Sequence, residues 1–258
     1  INREEINQMV FLGQGTPMQA TVHPDCTFFK DEWAKSYAKY DPAAANKLLD
    51  EMGLKKGSDG FRLRPDGKRL EIVIEYSQGL SFAKESLELI SKYWNDVGVK
   101  TAVKEDERSL YTARSQAGEL EVGVWHTDRM MEFRVTIPGW IKYNPRSEIG
   151  WAVQWGIWRE TKGKSGEKPA GPCGEEFTRF MDLLNQWYVT VTPTKYKEIA
   201  QKIWDNQASN LWIIGTVGLP NRPIVAKNYI KNFPSKCYWG DDTSWWLAAD
   251  PIQWYIEK

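Results

Sequence analysis

Histidine is scarce in this chain. His23 and His126 are the only two, and their separation in sequence gives no His-rich metal site. Cysteine is nearly as rare: Cys26, Cys173 and Cys237. None stands in a CxxC pair, which argues against a zinc ribbon or a thioredoxin-like dithiol, and an odd count leaves at least one thiol outside any internal disulfide. They read as small buried residues. Neither sign of charge prevails, with 34 Lys plus Arg against 34 Asp plus Glu. A neutral chain without a long basic run argues against nucleic acid as a partner. No apolar stretch reaches the ~20 residues of a membrane helix. Internal repeats and low-complexity linkers are also missing.

Signatures of catalysis are lacking too. Gly163-Lys164-Ser165 has the ending of a phosphate loop, but that pattern requires glycine where Trp158 stands. Gly13-Gln14-Gly15 is followed by Met18 where a dinucleotide fingerprint needs glycine. There is no GxSxG elbow. Asp128 with Glu132, and Glu105 with Asp106, are acidic pairs near predicted strand ends. A glycosidase would need such a pair across a cleft; acids at strand ends are more often salt-bridged or solvated.

What the chain does have is tryptophan, fourteen of them. Aromatics bury large areas, so most belong to cores, with a few available as platforms in a ligand cleft. Trp151, Trp155 and Trp158 recur at helical spacing. This predicts one buried helix face, the alternative being a ligand-stacking stripe.

Along the chain, Asn2 to Leu12 reads as a short helix stopped by Gly13. Asp41 and Pro42 are an N-cap and first-turn proline, opening a helix with Ala45, Leu48, Leu49 and Met52 on one face and Gly53 at its end. Leu70, Ile72, Ile74 and Tyr76 alternate as a strand over 69–76. Ser81 is the expected cap of a helix closed by Gly98; Val99, Thr101 and Val103 form a second strand, Ser109 opens a helix through Ala117, and 120–126 is a third strand. Strand, helix, strand, helix, strand predicts a parallel sheet with right-handed crossovers. Ligands on such sheets sit beyond the carboxyl ends of the strands. Those ends carry Tyr76-Ser77-Gln78, Lys104-Glu105-Asp106 and Trp125-His126-Thr127-Asp128. In a regular strand Trp125 and His126 point to opposite faces, so at most one faces a cleft. Phe177 to Tyr188 and Lys195 to Ala208 carry two more helical faces; Leu211 to Val217 and 223–227 read as strands; the tail is aromatic.

Tyr40 to Leu54 (YDPAAANKLLDEMGL) resembles the YDPxxANxLLDExG segment of the extracellular solute-binding proteins of family 5, the peptide/nickel-type class. Ile1 to Ile6 is similar to the family's IDREEI helix start, with Asn2 for Asp. Asp66-Gly67-Lys68-Arg69-Leu70 is similar to its DGKxLxLxI element, and Ala83 to Val103 to its helix-GI-strand unit.

The resemblance implies an α/β lobe of a periplasmic binding protein of type II (venus-flytrap), a mixed sheet with a parallel βαβ core flanked by helices. Residues 1–210 would be the second, ligand-binding lobe of a longer chain. Residues 211–258 would return toward an N-terminal lobe missing from this sequence. The implied function is capture of peptides, without cofactor or chemistry, for an ABC permease in the membrane, in the periplasm or as an extracellular, membrane-associated lipoprotein. Oligosaccharide or a nickel chelate would be other solutes of the same fold. The rivals from other classes are a glycoside hydrolase using two carboxylates and a structural module.

In oligopeptide-binding members an Asp three residues after a strand-end Trp pairs with the ligand's α-amino group, and Trp125 to Asp128 has that spacing. A carboxylate in a desolvated cleft forms a strong bond to an ammonium. Arg129 stands where the family often has Tyr and is placed to compete for Asp128. Arg114 lies near the position of an arginine that approaches the ligand's carboxylate in some members. The expected site is therefore Asp128, Trp125, His126, Arg129, Arg114 and Tyr76.

Overall fold

A computed structural model describes residues 1–80, 82–127, 151–221, 223–238 and 250–257. Helix α1 (Arg3–Val10) opens at Asn2, whose side-chain oxygen accepts the Glu5 N–H at 3.2 Å. It closes at Gly13, which has φ +71° and donates to the Asn7 carbonyl. A two-residue strand β1 (Thr16–Pro17) and a short helix α2 (Asp31–Lys35) follow. Helix α3 (Pro42–Glu51) begins as the sequence predicts, with Asp41 accepting the Ala44 N–H at 2.9 Å. Its apolar face is not covered: Leu48 and Met52 are 56% and 69% exposed.

The central unit is β2 (Glu71–Ser77), α4 (Ala83–Asp96), β3 (Lys100–Asp106), α5 (Arg108–Ala117) and β4 (Val122–Val124). The strands are parallel in the order β3-β2-β4. The first crossover moves from the centre to one edge and the second from that edge to the other. Two right-handed crossovers in opposite directions put α4 and α5 on opposite faces. Ile74 and Tyr76 face α4, packing with Leu87, Ile90 and Tyr93, and α1 adds Ile6 to this core. Glu75 faces α5. The N-cap of α4 is Phe82, without a side-chain bond, and Ser81 lies outside the described residues. Glu107, not Ser109, caps α5, accepting from the N–H groups of Ser109 and Leu110.

A second core is helical. Helix α6 (Val153–Glu160) leads to the long pair α7 (Gly171–Tyr188) and α8 (Pro193–Asn210). Phe177, Phe180 and Leu184 of α7 meet Ile203 and Trp204 of α8, all fully buried, with Val22, Phe28 and Trp33 completing the cluster. Each such side chain contributes about 1.5–3 kcal/mol by leaving water. Trp151 and Trp155 pack against this cluster; Trp158 does not belong to it.

The expected strand over Leu211–Val217 is mostly absent, and two glutamines are the reason. The Gln207 amide donates to the Ile213 carbonyl at 2.7 Å and accepts the Ile213 N–H at 3.3 Å. The Gln19 side chain accepts the Gly215 N–H at 2.9 Å. Side chains thus take the place of a neighbouring strand. Only Val217–Gly218 (β5) pairs, antiparallel to β1. Residues 223–227 are not a strand either. The next pairing is β6 (Ile230–Lys231) with β7 (Tyr255–Ile256).

Candidate functional site

A cavity of about 1660 Å³ draws its walls from both cores. Phe82, Ser86 and Leu87 of α4 enter from one side, and Trp151 and Trp155 from the other. Residues 120–127 and the crossing segments 18–21 and 211–221 run through it. Of the three strand ends expected to border a ligand, only that of β4 lines this cavity.

Trp125 and His126 both line the cavity, contrary to the alternation expected of them. Strand β4 stops at Val124, so the two-residue period no longer applies to them. Their rings lie 5.4 Å apart at 32°. Tyr111 of α5 stacks on Trp125 at 6.0 Å, and its hydroxyl donates to the Val124 carbonyl at 3.0 Å. The Arg108 guanidinium lies 5.3 Å from the Trp125 ring, a cation–π arrangement. Helix α5 thus fixes the indole from behind. Thr127 also lines the cavity. Asp128 and Arg129, the next residues, and Glu132 lie outside the described residues.

Tyr76 and Arg114 are not in this group. Tyr76 is 4% exposed and donates to Glu105 at 3.1 Å. Burial, and then that carboxylate, push its hydroxyl pKa up. Arg114 bonds to Glu75, lies 3.3 Å from Asp106 and pairs with Glu119 at 3.5 Å. Lys104 joins the same acids at 3.0 and 2.9 Å. The parallel register, which sets Glu75 beside Lys104 and Ser77 beside Asp106, brings these charges together behind the sheet. Burial pushes the Asp106 carboxyl up, but the hydrogen bond from Lys104, the contact with Glu75 and the charges of Lys104 and Arg114 outweigh it and hold it below the usual carboxylate range. Glu105 and Asp106 are thus committed, one to Tyr76 and one to this network. The arrangement fixes α5 on the sheet.

Sequence reasoning missed a second polar group at the cavity, His23, Asp25 and Tyr238. Tyr238 meets the His23 ring edge-on at 5.2 Å and donates its hydroxyl to Asp25. That bond lowers the Asp25 pKa. The His23 Nδ1 accepts the Asp25 N–H at 3.1 Å, and burial holds the imidazole below its usual value. The His23-Pro24-Asp25 turn was legible; its partner, more than two hundred positions away, carried no local signal. Thr21 and Trp212 also line the cavity and were not singled out. Among the described residues no three His, Cys, Asp or Glu side chains gather as a metal site. No described helix is long and apolar enough to cross a membrane.

Comparison with known proteins agrees with this architecture. Residues 1–131 match the family model described as bacterial extracellular solute-binding proteins, family 5 Middle. The oligopeptide-binding protein OppA of Lactococcus lactis subsp. lactis is 33% identical over 103 residues, 40% of this chain and 17% of that protein. A solved structure of an oligopeptide-binding protein OppA superposes with a TM-score of 0.79 at 35% identity, covering the whole of this chain and 42% of that one. The Bacillus subtilis oligopeptide-binding protein AppA, solved with a nonapeptide, gives 0.67 at 14% identity over the whole of this chain and 46% of that one, a likeness of fold. The chain therefore spans less than half the length of these relatives. With the parallel sheet, the flanking helices and a family model matched over half its residues, the chain belongs to the bacterial extracellular solute-binding proteins, family 5.

Proposed function

We propose that this chain is the ligand-binding lobe of the substrate-binding component of an ABC importer, which captures peptides between two lobes and delivers them to a membrane permease. The observation that carries the peptide assignment is the edge of β4. That strand pairs with β2 on one side only among the described residues, and residues 120–127 line the cavity. An extended peptide can add there as a further strand. Main-chain hydrogen bonds then give affinity with little demand on sequence.

Trp125 and His126 wall this edge, and Asp128 anchors the ligand's α-amino group, with Arg129 competing for it. Arg114 acts indirectly, by holding α5 and hence Trp125. Residues 1–210 form the lobe and residues 211–258 lead back toward an N-terminal lobe, whose closure buries the ligand. The working location is the periplasm, or the outer cell surface for a lipid-anchored form. No chemistry is performed on the solute. The oligopeptide-binding names of OppA and AppA support this reading.

Half-buried indoles at the cavity favour one second reading, an oligosaccharide as solute. Mass spectrometry of the small molecules released by gentle denaturation of the full-length protein separates the two. A mixture of short peptides is the expected result. A defined oligosaccharide would overturn the peptide assignment, and conversion of added solute to product would overturn the carrier role.

A further inference from the structure

If the β4 edge takes a peptide backbone, alternate side chains must find room beside it. Trp151 and Trp212 are stacked, with ring centres 5.0 Å apart and planes at 15°. Their positions are set from behind. Trp151 meets the edges of Phe177 and Phe180, each at 5.8 Å, and Trp212 donates its indole N–H to the Asn206 side chain at 2.8 Å. Trp155 lies against Phe177 at 5.4 Å. These three indoles serve the helical core, yet each is only half-buried and lines the cavity. Each therefore also presents surface to the cavity.

A separate observation marks the same place. Thr21 is 6% exposed and lines the cavity, and its hydroxyl has no hydrogen-bond partner among the described residues. It enters on the segment that crosses Gly215, three residues beyond Trp212: a Cβ on Gly215 would lie 2.1 Å from the Ala20 nitrogen. The indole N–H of Trp151 is likewise buried, with no partner among the described residues. Polar groups in this state are normally satisfied in the working complex.

We propose that Trp151, Trp155 and Trp212 form a side-chain pocket that selects peptides carrying an aromatic residue at one position, with the Thr21 hydroxyl as its polar contact. This rests on the peptide-carrier reading. Rigid indoles lose little freedom when a ligand stacks on them, so a flat ring gains more than an aliphatic chain of equal area.

The test is calorimetric titration of the full-length protein with alanine pentapeptides, each bearing phenylalanine at one position, against the same peptides with cyclohexylalanine. At one position phenylalanine binds about three- to tenfold tighter. That preference falls below about twofold in Trp212→Leu, whose fold is checked by circular dichroism. Thr21→Val weakens the preferred peptide while keeping the aromatic preference. Binding of every pentapeptide without positional preference overturns the pocket and leaves the carrier reading standing. Retention of the preference in both Trp212→Leu and Trp155→Leu also overturns it. If no pentapeptide binds at all, the carrier reading falls and the pocket with it.

Discussion

Arg62 reaches Asp50 at 2.6 Å from a side chain that is 1% exposed, although Asp50 itself is 67% exposed. The same guanidinium donates to the carbonyls of Val97, Leu54 and Asn46 and to the Asn46 side chain. It ties α3, the end of α4 and the loop before β2 into one piece. Arg62→Met is expected to cost about 3–5 kcal/mol in urea unfolding, because several buried carbonyls lose their donor at once. Asp50→Asn is expected to cost under about 1 kcal/mol, since an exposed partner is screened. Equal costs would show the ion pair, not the carbonyls, to be the main contribution.

The Asp106 carboxyl gives a pH signature. Its folded pKa is depressed, so its stabilisation is fully present above the unfolded value of about 3.9 and is lost as pH falls below that toward the folded value. Urea midpoints measured from pH 7 to pH 3 should hold level and then drop in this acid range. Asp106→Asn should be less stable at pH 7 and show a shallower drop. A parallel pH profile for the variant would remove Asp106 from the account.

Gly215 is a steric prediction. A Cβ there would lie 2.1 Å from the Ala20 nitrogen and 2.4 Å from the Gln19 carbonyl carbon. Backbone cannot step aside cheaply, so Gly215→Ala should cost at least ~1–3 kcal/mol. At Gly15 the nearest atom is a Val217 methyl, 2.3 Å away, which can rotate. Gly15→Ala should be the milder variant in thermal melting.

The amine anchor is open to a direct binding test. In the full-length protein Asp128→Ala should weaken a free-amine peptide at least about thirtyfold. The affinity for the N-acetylated peptide should not change, and that peptide should bind the parent protein weakly. Equal binding of both peptides by the parent would remove Asp128 as anchor.

The elements that were legible in the sequence are those set by neighbours along the chain. Alternation from Leu70 to Tyr76 gave β2, the Asp41-Pro42 pair gave the start of α3, and the apolar stripes gave the faces of α7 and α8. What was not legible depends on contacts between distant segments. Leu48 and Met52 have the spacing of a buried face but remain exposed, because α3 is held through Asn46 and Asp50 on its polar side. Arg114 lay near the ligand position by motif, and the strand register committed it to Glu75 and Asp106. Trp125 and His126 both reached the cavity because β4 ended one residue before them. The Gln207 bond to Ile213 is a side chain acting as a strand, which no period in the sequence announces.

The pairing of β1 with β5 also bears on how the molecule acquires its shape. It joins positions 16–17 to positions 217–218, a contact spanning about two hundred residues, whereas β2, β3 and β4 all lie between 71 and 124 and can assemble from nearby chain. As the polypeptide emerges, the sheet and its helices can condense first. The crossing of the segments around Ala20 and Gly215 at the cavity must wait until the stretch after α8 has arrived. Substitutions at Gly15 or Gly215, where these distant segments meet, should therefore slow a later folding phase more than the first.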